Sequence, residues 1–371
     1  MELATIPKNT ASHKKLNYIN VFRALAIGFI VAGHSICRTG SAADSILEVL
    51  VGDGTVFFVF ISGFLFQYLS DTFSYPEYLK KKFFNIVCPY LVTSVFGIAV
   101  LLAVARVNPL YPLPALEQIP LFLSTGVFHN FPTWYISMSC VFFLCAPLLL
   151  RFIRENRSAV LLMGIFLIPV AVPRFIIEFM NYSPYVCYAR ALAHNLFWTF
   201  LFFPIYILGM YVAAHKNYIP ACYERRKILW LGTGVFLVVA CWWNCTQPFP
   251  VTSRLLAFKI ILTLLLVGYL AHYDAFLSRP TRLNNALDTV ARYSFSIFFF
   301  HWYIDNGLAL LFKALCGESF INFEIPDFWT WALISFFRFL IDFLGSLALA
   351  VVIKKTFLKF GLKNTRWMIG V

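Results

Sequence analysis

Apolar runs long enough to cross a bilayer recur along the chain, and the short stretches between them hold most of the charge. A membrane-spanning helix needs about 17–25 mostly apolar residues. Ten stretches approach or meet that length: residues 17–37, 50–69, 83–104, 133–150, 159–173, 191–214, 228–244, 254–272, 292–312 and 328–353. The fifth is the weakest, being short and carrying Pro169 and Pro173. Ile119 to Phe128 is too short to span and is expected to dip into the interface. The pattern predicts an all-α, polytopic transmembrane bundle forming a single domain over residues 1–371, with a short segment 1–16 before it and a basic tail 354–371 after it.

Composition supports this reading. Hydrophobic residues make up 60% of the chain and charged ones 13%, against about 25% charged in a soluble domain. Mean hydropathy is +0.76. A water-soluble fold has too little interior for so much apolar surface, so hydrocarbon must solvate most of it. The 42 Phe read mainly as lipid-facing filler.

The net charge of +13 would, taken alone, point to nucleic acid. Its distribution excludes that partner, because the basic residues sit in short runs between apolar stretches. Twenty-one of the 30 Lys and Arg fall before the first span, after each even-numbered span and in the tail, with Lys80, Lys81 and Lys82 among them. The alternate loops hold six: Arg38, Arg106, Arg174, Arg190, Arg254 and Lys313. Such alternation predicts an even number of spans and both termini in the cytoplasm. Ser41-Ala42-Ala43 resembles a signal-peptide cleavage site, but Arg23, His34 and Arg38 before it argue for a retained first span. The longest loops, 105–132 and 313–327, are expected outside.

Nine cysteines are scattered without a Cys-x-x-Cys pair, and Cys241 and Cys245 share a helix face with no His nearby. They read as small packing residues, and no metal is expected. Cys37, Cys187, Cys245 and Cys316 would lie near one membrane face.

Ionisable groups inside spans cost about 2.5–3.5 kcal/mol each on insertion scales, which makes them functional candidates. Arg23 and His34 share the first span eleven residues apart. That is close to three turns, so both lie on one face, about 16 Å apart along the axis. His301 and Asp305 are four apart on the ninth span; a carboxylate one turn away would fix an imidazole's tautomer, or the two would simply join helices. Arg338 and Asp342, also four apart, read as an intrahelical ion pair, and Lys259 as a residue that snorkels or meets a cavity. Trp134 and Tyr135 read first as an interfacial belt, with sugar stacking the alternative.

The run NYINVFRALAIGFIVAGHS resembles the opening of the acyltransferase-3 family of bacterial membrane enzymes, whose hallmark is an Arg, ten residues and a His, met by Arg23 and His34. FFVFISGFLF, which contains Ser62, resembles the family's second-span motif, and YLKKKFFNIVCPY its basic loop and Pro. TWYISMSCVFFLCAPLLL, with Trp134 and Tyr135, resembles its Trp-aromatic span, and SFSIFFFHWYI a late span with a His. The order of these stretches is fairly specific, and together they cover most of the chain. Asn17 and Asn20 stand where the family usually has an acid, and Ser137, Met138 and Ser139 where it often has Glu.

The resemblance implies transfer of an acyl group, usually acetyl, from cytoplasmic acyl-CoA to a hydroxyl or amine of an envelope glycan, in a bacterial inner membrane. Arg23, with Lys80, Lys81 and Lys82, would then bind the anionic donor. His34 would act as general base or carry a transient acyl group. Ser62, Trp134, Tyr135, His301 and Asp305 would support them. The partners are then acyl-CoA, the glycan and lipid, with a homo-oligomer left open. Intramembrane His, Arg and Asp also mark transporters, but no internal repeat of the kind usual in those folds is visible. A membrane protein that only binds a lipid or a partner is a further alternative.

Overall fold

The computed structural model describes residues 16–37, 41–104, 115–125, 133–155, 158, 161–168, 187–246, 252–316, 327–362 and 364–371. Every regular element among them is helical. In chain order these are α1 (Asn17–Ser35), α2 (Ala42–Val51), α3 (Thr55–Tyr68), α4 (Tyr75–Lys82), α5 (Cys88–Val104), α6 (Ala115–Thr125), α7 (Trp134–Leu144) and α8 (Ala146–Glu155). Next come α9 (161–168), α10 (Cys187–Ala214), α11 (Tyr218–Glu224), α12 (Arg226–Thr246), α13 (Thr252–His272) and α14 (Asp274–Leu277). The last three are α15 (Arg282–Cys316), α16 (Phe328–Lys359) and α17 (Arg366–Ile369).

Each predicted span coincides at least in part with a helix, but ten crossings are not established. Six described helical stretches are long and apolar enough to cross, two of them joining consecutive helices (Ala42–Tyr68 from α2 and α3, Tyr75–Ala99 from α4 and α5), or seven if α7 and α8, bent by 60°, form one broken span. The others fall short for separate reasons. In α13 the described side chains begin after residue 255, which leaves the apolar stretch Leu256–His272. α15 is long but carries His301, Asp305 and Asn306 in mid-helix. Of the weak fifth span only 161–168 is described, so Pro169 and Pro173 lie outside the described residues, as do most of the loops 105–132 and 313–327. Residues 119–125 of the expected interfacial dip lie in α6, where Phe122 is buried and its carbonyl accepts the Tyr90 hydroxyl at 2.9 Å.

The second span is broken where Gly-Asp-Gly interrupts it, with Asp53 at φ 53°. A Cβ on Gly54 would stand 2.8 Å from the Ile30 nitrogen, so only glycine lets α1 approach here. Ser41 and Asp44 form a reciprocal capping box that starts α2. The Ser41-Ala42-Ala43 stretch is therefore a helix start. Asp327 caps α16 by accepting the Thr330 N–H at 2.9 Å.

α1 is central. Tyr18, Ile19, Phe22 and Ala26 pack into one core with α3, α7, α10 and α13. Ile27, Ile30 and Val31 pack into a second, with α15, α16 and α17. The closest helix pair is α3 with α10, which meet at glycines: a Cβ on Gly63 would lie 2.1 Å from the Tyr206 carbonyl oxygen, and one on Gly209 2.2 Å from that of Phe60. Small residues give membrane helices this proximity. Gly→Ala in a helix interior normally gains up to about 1 kcal/mol of propensity. Here overpacking, about 1–3 kcal/mol, reverses the sign. Gly63→Ala and Gly209→Ala are expected to lower the thermal midpoint of the detergent-solubilised protein by several degrees. Gly234→Ala, where nothing lies within 4 Å, is the control and should not.

The segment expected as a basic tail is helical through Lys359, turns at Gly361 (φ 81°) and returns to the bundle as α17.

Candidate functional site

Arg23 and His34 emerge from one helix, and a row of side chains from other helices connects them. Arg23 acts electrostatically on the Tyr135 hydroxyl of α7, which lies 3.1 Å from the Ser62 hydroxyl of α3. The Tyr135 ring meets Phe298 of α15 edge-on, with centroids 5.7 Å apart. Phe298 is followed one turn later by His301, at 6.2 Å, and the His301 ring stands 5.2 Å from that of His34. Tyr135, Phe298 and His301 thus form a series of neighbouring rings that ends at His34. Arg23 is half-buried, His301 is buried and His34 is exposed.

His301 has a defined proton arrangement. Its Nδ1 lies 3.1 Å from the Ile297 carbonyl, which can only accept, so the proton sits on Nδ1. Nε2 then keeps its lone pair, and it is a buried atom without a hydrogen-bond partner. Beside His34, Ser35 donates to Asp342 of α16 at 2.7 Å, while the second carboxylate oxygen of Asp342 is buried and unpartnered.

The model of an acyltransferase domain, acyltransferase-3, matches residues 16–354, nearly the whole chain and every residue of this row. The chain belongs to the acyltransferase-3 family. Neither the curated proteins nor the solved structures compared with it give a match. With its apolar helices, the chain is a multi-pass membrane acyltransferase.

Several pairings differ from those expected of the sequence. Asp305 does not orient His301; it receives Arg338 of α16 through Nε at 2.6 Å and Nη2 at 2.7 Å. Arg338 is therefore bonded across helices and not to Asp342 within its own. Trp134 does not join the row; its ring stacks on Trp198 of α10 at 4.5 Å. Among the three lysines, Lys80 and Lys81 are exposed and only Lys82 turns inward, its ammonium 4.8 Å from the Phe143 ring centre. A π-turn at Phe83–Val87 follows it, since Cys88 donates to Phe83 and Pro89 has no N–H to give.

Lys259 does not reach the surface. It is fully buried, donates to the Leu50 carbonyl at 2.5 Å where the second span breaks, and sits among Phe29, Phe57 and Phe258. The helix break frees carbonyls that need donors, and this ammonium supplies one. Where the family usually has acids, Asn17 donates to Ser278 and Asn20 to Asp288; Ser137 bonds the Ser124 carbonyl and Asn195. Cys37 and Cys245 are free thiols, while the side chains of Cys187 and Cys316 lie outside the described residues.

Two participants were missed in the sequence. Phe298 is one of 42 Phe and carries no signal. Arg366 of α17 acts electrostatically on both Arg23 and Lys82, and it lies beyond the last predicted span.

Proposed function

We propose that this acyltransferase moves an acetyl group from cytoplasmic acetyl-CoA to a hydroxyl of a cell-surface polysaccharide or its lipid-linked precursor, in a bacterial inner membrane. The carrying observation is the ring series Tyr135, Phe298, His301 and His34, which ends on the histidine that shares α1 with Arg23. A cation at one end suits the phosphates of the donor. The separation along α1, about 16 Å, is of the order of a pantetheine arm. The alternating basic loops support cytoplasmic termini and an even number of crossings, ten in this reading.

In this mechanism Arg23 and Lys82 hold the donor's anionic end. His34 takes the proton of the acceptor hydroxyl as its oxygen attacks the thioester carbonyl. The carbon–sulfur bond breaks, the ester forms, and the leaving thiolate recovers the proton from His34. His301, with Nε2 bare and buried, positions the His34 ring. Tyr135 and Ser62 form the wall between the two ends.

The test is the purified protein in lipid nanodiscs with acetyl-CoA and an envelope glycan extract. Free thiol should appear together with a glycan heavier by one acetyl group, by mass spectrometry. No thiol release, with solute counterflow in reconstituted vesicles, would mean transport and overturn the proposal. Protein-bound acetyl in the absence of glycan would replace the direct step with an acyl-histidine.

A further inference from the structure

We infer that residues 364–371 belong to the donor site, with Arg366 as a third cation that holds a phosphate of acyl-CoA; this rests on the acyl-CoA reading above. Arg366 is presented by a packed segment. Ile369 is 3% exposed and shares a core with Ile27 and Ile30 of α1. The Ser296 hydroxyl of α15 donates to the Ile369 carbonyl at 2.5 Å. Gly370 has φ 79°, and a Cβ there would lie 2.4 Å from Cδ1 of Phe295, so the backbone lies directly against α15. The buried Thr365 donates to the Val371 carbonyl at 2.5 Å and closes the turn.

The same core holds Ile27, four residues after Arg23 on α1, and Ile86, four residues after Lys82, so the docking of Met368 and Ile369 carries Arg366 to the neighbourhood of both cations. Three cations thus stand on three elements that pack together, and none of them has a carboxylate partner among the described residues. Like charges on packed neighbouring elements repel, and an anion between them relieves the repulsion. Arg23 is half-buried and Arg366 exposed, so the cluster runs from the surface inward. A phosphate-bearing molecule that enters by one end fits that gradient, and a guanidinium fork matches a phosphate in two hydrogen bonds. A phospholipid headgroup offers the same chemistry, so the test separates the two sources.

Binding of CoA and of pantetheine, which lacks every phosphate, is measured by calorimetry on the full chain in phosphatidylcholine nanodiscs. Arg366→Gln should weaken CoA about ten-fold and leave pantetheine unchanged, with Arg366→Lys in between. Equal loss for both ligands, no change for CoA, or displacement of CoA by phosphatidylglycerol added to the nanodisc would overturn the inference. The acyl-CoA reading fails separately: it falls if wild-type protein releases no thiol from acetyl-CoA, whatever Arg366 does.

Discussion

His34→Ala is expected to lower turnover of acetyl-CoA by about 10²–10⁴-fold, the usual contribution of a positioned general base, while the protein remains folded. His34 is exposed at the end of α1, whereas the helix's apolar neighbours Ile27, Ile30 and Val31 carry the packing. Removing the imidazole therefore takes away chemistry and little core. His301 is the contrast. It is 1% exposed and bonded to its own helix through Nδ1, so His301→Gln should slow the reaction about ten-fold through the orientation of His34, as outer-shell partners do. The thiol-release assay, with melting followed in parallel, reads both. Loss of the same size in the two variants, with lowered melting, would make the histidine pair structural.

The second large effect is at Arg23. Arg23→Gln should cut kcat/KM for acetyl-CoA by about 10²–10³-fold, since it removes a charge-assisted contact to the donor. Arg23→Lys should recover only part, because an ammonium cannot fork. Stability should move the other way. No carboxylate among the described residues is paired with Arg23, and two like charges, Lys82 and Arg366, lie in its field. A neutral side chain there should leave the melting temperature unchanged or raise it. A residue that costs stability and sustains activity is what a ligand-binding cation looks like; an ion-pair partner shows the reverse.

The helical runs, the shared face of Arg23 and His34, and the buried histidine of α15 were legible because each depends on periodicity within one helix. What stayed hidden depends on which helices pack together. His301–Asp305 and Arg338–Asp342 have the same four-residue spacing, which allows an intrahelical pair as readily as a bridge. Packing of α15 against α16 selected Asp305–Arg338 and left Asp342 to Ser35. Lys259 looked like a lone intramembrane charge because the broken second span that accepts its hydrogen bond lies far away in sequence. The break itself had a signal, the Gly-Asp-Gly turn at 52–54. Arg366 had none, for its position is set by the burial of Ile369 and the glycine at 370.

The central claim is that the donor's acyl group reaches His34 when its charged end is held at Arg23. Acyl-CoA with a photoreactive acyl chain, irradiated on the purified protein and mapped by peptide sequencing, tests it directly. Label is expected on α1 near His34 and on α15 near His301, and it should disappear in Arg23→Gln. Label confined to other helices, or label at these sites that survives Arg23→Gln, would contradict the account.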